Sequence, residues 1–89
     1  MARNLSDIAK DIRANWKNIY IGAEPYLQAM EEIHSPEPDA STFFEKGETL
    51  VFENAKTLSM YFLFTAYSWR GEAAKRIKSE LKTQYKLNL

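Results

Sequence analysis

From Leu58 to Trp69 almost every position is apolar or aromatic: Leu58, Met60, Tyr61, Phe62, Leu63, Phe64, Ala66, Tyr67 and Trp69. On a helix these side chains point in every direction, so the segment needs cover on most sides. Its periodicity reaches back through Ala55 to Leu50, Val51 and Phe52 and predicts a central helix over about 49–67. A first helix over about 6–20 follows from Ile8, Ile12, Trp16 and Ile19, with Ser6 as N-cap and Leu5 before it. Its polar face carries Lys10, Asp11, Arg13 and Lys17, and Gly22 reads as its stop. A short second helix over about 24–33 has Pro25 in its first turn and Tyr26, Leu27, Met30 and Ile33 as its stripe. A last helix over about 70–85 sets Ala73, Ala74, Ile77, Leu81 and Tyr85 on one face and Lys75, Lys78, Lys82 and Lys86 on another. Ser68 is placed to cap it, and Gly71 marks a bend or a close approach.

Between the second and third helices, His34 to Ser41 contains two prolines and two acids without periodicity, a loop. Residues 42–53 read two ways. Thr42-Phe43-Phe44 and Thr49-Leu50-Val51-Phe52 flank Lys46-Gly47 as a small hairpin would. A lone two-stranded hairpin is marginal in water, so helix from about Thr49 is the favoured reading, with Phe43 and Phe44 tucked under the core or exposed as a patch. The expected fold is an all-α, four-helix single domain over residues 1–89 with the third helix central. A hairpin at 43–52 is the alternative.

The length of 89 residues fits one domain, and 45% hydrophobic content suffices for a core. The chain has no cysteine, which removes disulfides, thiolate nucleophiles and cysteine-ligated zinc and fits a reducing cytoplasm. Ala2 to Lys10 is too polar for a secretory leader. The apolar run of about twelve residues falls short of the roughly 20 that span a bilayer, so no membrane role is expected. Net charge is zero but unevenly spread. Residues 24–53 carry eight acids against Lys46, a net −7, and residues 70–89 carry six cations against Glu72 and Glu80, a net +4. The two poles are suited to attract within the fold or head to tail between copies. A homo-oligomer is expected, because 89 residues struggle to cover both the third helix and Phe43/Phe44.

Candidate chemistry is thin. Glu31-Glu32-Ile33-His34 holds one Glu-x-x-His, but di-iron bundles need a second copy and the chain has one histidine. Nothing spaces the serines, threonines and His34 as a charge relay, and the three glycines are isolated, so neither a catalytic set nor a phosphate-cradling loop is present. The expectation is a non-enzyme with no cofactor and no metal. Trp69-Arg70-Gly71 is read first as a junction in which Trp69 locks two helices, Gly71 lets them approach and Arg70 pairs with an acid of the 24–53 segment. Trp69 and Arg70 are also residue types enriched at interface hot spots. With Lys75 and nearby aromatics, Arg70 would suit a nucleotide held between helices of an oligomer. Lys75, Lys78 and Lys82 are read as a solvated face, or as weak contacts to nucleic-acid phosphates. The acids around Phe43 and Phe44, notably Glu45 and Glu48, border a candidate partner surface and could imitate a phosphate surface.

Two stretches resemble a family of small bacteriophage and prophage proteins. Residues 15–30, Asn15-Trp16-Lys17 through Gly22-Ala23-Glu24-Pro25-Tyr26-Leu27-Gln28-Ala29-Met30, are similar to its DWKxVYFGAxPYLxAM stretch. Tyr61-Phe62-Leu63 and Ser68-Trp69-Arg70-Gly71-Glu72-Ala73-Ala74-Lys75-Arg76-Ile77-Lys78-Ser79-Glu80-Leu81-Lys82 are similar to its YFL and TWRGExAKRIKxELK stretches. The similarity covers roughly half the chain, in order, and lapses over 34–53. It implies a small helical phage protein and supplies no catalytic residue. The resulting expectation is a phage-encoded accessory protein in the host cytoplasm. It would act by protein–protein interaction on a host protein, in one form by inhibiting a defence system.

Overall fold

The computed structural model describes residues 2–89. Among them the chain forms four α-helices and one antiparallel hairpin, so the all-α expectation does not hold. The order is α1 (Leu5–Asn15), a 3-10 turn (Ile21–Ala23), α2 (Glu24–Glu31), β1 (Ser41–Lys46), β2 (Thr49–Asn54), α3 (Ala55–Thr65) and α4 (Glu72–Gln84).

The hairpin replaces the predicted N-terminal half of the third helix. Its pairs run from Ser41 opposite Asn54 to Lys46 opposite Thr49, which leaves Gly47 and Glu48 as a two-residue turn. Gly47 has φ +65°, the positive sign that the first central position of a type II′ turn demands and that glycine adopts without penalty. The hairpin is marginal only as an isolated unit, and here it is docked. Phe44 points inward and is buried, its ring 5.8 Å from Tyr26 of α2, and Val51 is half-buried beside it. Burial of one face supplies what a free hairpin lacks. Aromatic and β-branched residues at alternating positions then favour the pleat over the helix.

Helix α3 therefore starts at Ala55, not near Thr49. Asn54 caps it by accepting a 2.8 Å hydrogen bond from the Thr57 backbone N–H. Its inward face is Ala55, Leu58, Ser59 and Phe62, all fully buried, and Ala66 extends that face beyond the helix. The other helix ends also moved. Helix α1 begins one residue before Ser6, and its first N–H groups are satisfied by backbone: Leu5 N–H donates to the Ser35 carbonyl at 3.1 Å and Ser6 N–H to the Ile33 carbonyl at 2.9 Å. Ser6 is thus no side-chain cap but a buried first-turn residue whose hydroxyl lies 3.1 Å from His34 Nδ1. Helix α1 stops at Asn15, well before Gly22, because Trp16 leaves helical geometry (φ −110°, ψ 98°) to turn into the core. Helix α4 is entered from Gly71, not from Ser68.

One core joins all the helices and the inner face of the hairpin. Leu5, Ile8 and Ile12 of α1, Leu27 and Met30 of α2, Leu58 and Phe62 of α3, and Ile77 and Leu81 of α4 have no solvent exposure. Ion pairs tie its rim. Arg13 grips Glu31 through two nitrogens, at 2.9 and 3.0 Å, and also reaches Glu24, clamping α1 to both ends of α2. Arg3 binds Glu80 through two nitrogens and shares Asp11 with Arg76, joining the N-terminus and α1 to α4. Both arginines are held above the ordinary guanidinium range by these carboxylates.

Candidate protein-interaction surface

Alternation along the hairpin divides its aromatics. With Phe44 turned in, Phe43 turns out, and so does its cross-strand partner Phe52. Their ring centroids stand 4.6 Å apart, yet the two side chains remain 60% and 58% exposed. Leu50, two residues along the same face, is 64% exposed. The largest apolar cluster on a protein surface is often a functional one. Glu45 lies directly across from Leu50, and Glu48 occupies the turn. A shallow depression between hairpin and α2 is lined by Phe43, Phe44, Glu45 and Leu50 with Gln28 and Glu32. None of Glu32, Glu45 and Glu48 forms an ion pair among the described residues. Lys46, the cation of this hairpin, lies on the inner face with its ammonium 5.4 Å from the centre of the Tyr26 ring.

The predicted site residues thus fall into two places. Phe43, Glu45 and Glu48 come together on the outer hairpin, while Phe44 is part of the core. Trp69, Arg70, Lys75 and Lys78 line a separate depression of about 480 Å³ with Gly71 and Glu72 at the start of α4. Lys82 lies further along α4 and does not join it. Trp69 is 3% exposed and stacks on Trp16, so it is a lock between segments with no ring face free for a base or a partner. Lys78 donates a 2.6 Å hydrogen bond to the Trp69 carbonyl and stands over that ring. Burial, with Lys82 and Arg70 adding repulsion, pulls its pKa below the usual lysine range. Arg70 is exposed and pairs with no acid of the 24–53 segment among the described residues, contrary to expectation. The Glu31–His34 spacing also dissolves: Glu31 is taken by Arg13 and His34 faces Ser6.

Leu50 and Phe52 are not among the candidates legible in the sequence, because the helix expected from about Thr49 includes both. Their i, i+2 spacing opposite Phe43 was the available signal. Tyr20, Ile21, Phe64 and Tyr67 are exposed as well, and the Tyr20 and Tyr67 rings meet edge to face at 6.1 Å. Among the described residues no helix is long and apolar enough to cross a membrane. No family model, curated protein or solved structure matches the chain.

Proposed function

We propose that the protein is a non-enzymatic accessory protein, phage-encoded as the two resembling stretches imply, that works by docking on a protein of the host cell through the outer face of its hairpin. The carrying observation is the exposed Phe43–Phe52 pair, extended by Leu50. An apolar centre with a charged border is the build of a specific, non-obligate interface. The border here is acidic, Glu32, Glu45 and Glu48, so the partner is one with cations around an apolar recess. Inhibition of a host defence is the form of this action that fits a small phage protein with no catalytic set of its own.

The test is affinity capture from host lysate with the natural chain and with two variants, Glu45→Lys/Glu48→Lys and Phe43→Ser/Phe52→Ser. All four side chains are exposed, so both variants should melt within a few degrees of the natural protein. Both should lose a host protein that the natural chain captures. Retention of that protein by both variants would remove the hairpin as the docking face.

A further inference from the structure

Two exposed apolar patches lie on the elements that flank α3 in the chain. The hairpin precedes the first residue of α3, and Phe64 lies in its last turn. The second has the touching rings of Tyr20 and Tyr67 at its centre, with Ile21 next to Tyr20 in the chain and 83% exposed, and with exposed Phe64 one helical turn before Tyr67. Beside it lies a depression lined by Lys17, Asn18, Ser68 and Arg70, which begins one residue beyond Tyr67 and two before Tyr20. Lys17 and Arg70 are exposed, and neither forms an ion pair among the described residues. One patch therefore has an acidic border and the other a basic one.

The fold spends other charges inside itself: Arg13 on Glu24 and Glu31, Arg3 on Glu80, and Arg3 with Arg76 on Asp11. The charges beside the two patches are left over. Among the described residues the two sets form no ion pair with each other. A two-fold pairing of either patch with itself would set Glu45 and Glu48, or Lys17 and Arg70, against their own copies, which is repulsive. Joining the two different patches is apolar at the centre and opposite in charge at the edge.

We propose that the protein associates head to tail with a second copy of itself, the Phe43–Leu50–Phe52 face of one copy seating on the Tyr20–Ile21–Phe64–Tyr67 face of the next. This goes beyond the docking function and stands without it, since it concerns the purified chain alone. Where both hold, a host partner competes with the neighbouring copy for the hairpin. Each face offers three or four side chains more or less half exposed; at about 150–250 Å² for a whole aromatic, that is roughly 300–400 Å². A standard interface buries about 800 Å² per partner, so the association is weak, rises with concentration and falls with salt. A heterologous contact leaves one patch free at each end, so growth continues past the dimer unless a ring closes.

Sedimentation equilibrium of the purified chain at low salt should give an average mass that climbs above 10.3 kDa as concentration rises. Phe43→Ser/Phe52→Ser lacks the first patch and Ile21→Ser/Tyr67→Ser lacks the second. Each alone should stay at 10.3 kDa, and an equimolar mixture should form a species of twice that mass, because each variant keeps the patch the other lost. Glu45→Lys/Glu48→Lys and Lys17→Glu/Arg70→Glu repeat the design without touching an apolar side chain, and they decide the question if a serine variant fails to fold. Each is expected to be monomeric alone and associated when mixed. A natural chain still monomeric at about 1 mM overturns the proposal, because an interface of this size should act by then. Association that survives in either single-patch variant, or mixtures that stay monomeric, overturn it equally.

Discussion

Trp16 and Trp69 stack with ring centroids 5.4 Å apart and planes 12° from parallel, and each is almost fully buried. The pair pins the segment after α1 to the segment before α4, two stretches that have no regular structure of their own. Phe62 meets Trp16 in a T-shaped contact with ring centroids 6.1 Å apart, so the stack also supports the end of α3. Trp69→Ala should cost about 3–5 kcal/mol, the usual range for truncating a large buried aromatic. A chain of this length has only roughly 4–13 kcal/mol to lose. Trp69→Phe should cost markedly less, because it keeps most of the buried area. Urea unfolding of the three proteins checks this; an alanine variant within about 1 kcal/mol of the natural chain would mean that the stack is not a structural lock.

Asp11 carries a pH-dependent part of the fold's stability. Its carboxylate receives hydrogen bonds from Arg76 and Arg3, each at 3.2 Å, and from Asn15 at 2.9 Å. The Arg76 bond, followed by that of Arg3, holds its pKa below the usual carboxylate value against the opposing effect of partial burial. Because the folded value is the lower one, the unfolded chain binds more protons, so this stabilisation is complete above the unfolded value and is lost as pH falls through the folded one. Stability should decline as pH drops below about 4. Asp11→Asn should flatten that decline and cost about 0.5–1 kcal/mol at neutral pH, the scale of a partly exposed ion-pair network. Urea midpoints at pH 7, 5 and 3 measure both effects; parallel curves for the two proteins would refute the assignment.

Ser59 is the opposite case, a polar group the fold does not use. It sits on the inward face of α3 with no exposure, and its hydroxyl has no hydrogen-bond partner among the described residues. A buried unpaired hydroxyl costs about 1–3 kcal/mol, and alanine removes it while leaving almost the same volume. Ser59→Ala should therefore raise stability by about 1 kcal/mol, or several degrees in melting temperature for a domain this small. A neutral or destabilising result by calorimetry would indicate that the hydroxyl has a partner in solution.

The helices were legible because their apolar residues recur at helical spacing: Ile8 with Ile12, Leu27 with Met30, Ile77 with Leu81. Their ends were not, because the ends are set by partners distant in sequence. The start of α1 is capped by carbonyls of Ile33 and Ser35, and its stop is decided by Trp69, which draws Trp16 out of register. The hairpin is legible as an alternative, and only the marginal stability of isolated hairpins argues against it. Tyr26, which covers Phe44, lies in another element, and no local pattern carries that information. Phe43 was identifiable as a surface candidate, but its companions Leu50 and Phe52 emerged only once the strand register was fixed. At the Trp69–Arg70 junction the residue types suggested a binding anchor. Burial decided otherwise for Trp69, since an exposed indole and a buried one look alike in sequence.

Gly71 gives the cleanest separation of backbone from packing. It enters α4 with φ +111° and ψ −178°, a region essentially reserved for glycine. A Cβ added there would meet nothing within 4 Å, so space is not the constraint. Gly71→Ala should still cost about 1–3 kcal/mol, because L-alanine must hold a strained backbone or shift the start of α4. The mirror-image residue has no such difficulty. D-Alanine at 71, introduced by chemical synthesis, meets the same backbone as an ordinary extended conformation and should match or slightly exceed the glycine protein, since it also restricts the unfolded chain. Thermal melts of the glycine, L-alanine and D-alanine chains would give that order. An L-alanine chain as stable as the glycine chain would mean that the entry to α4 is held by side-chain packing, such as the Lys78 bond to the Trp69 carbonyl, and tolerates a different backbone at position 71.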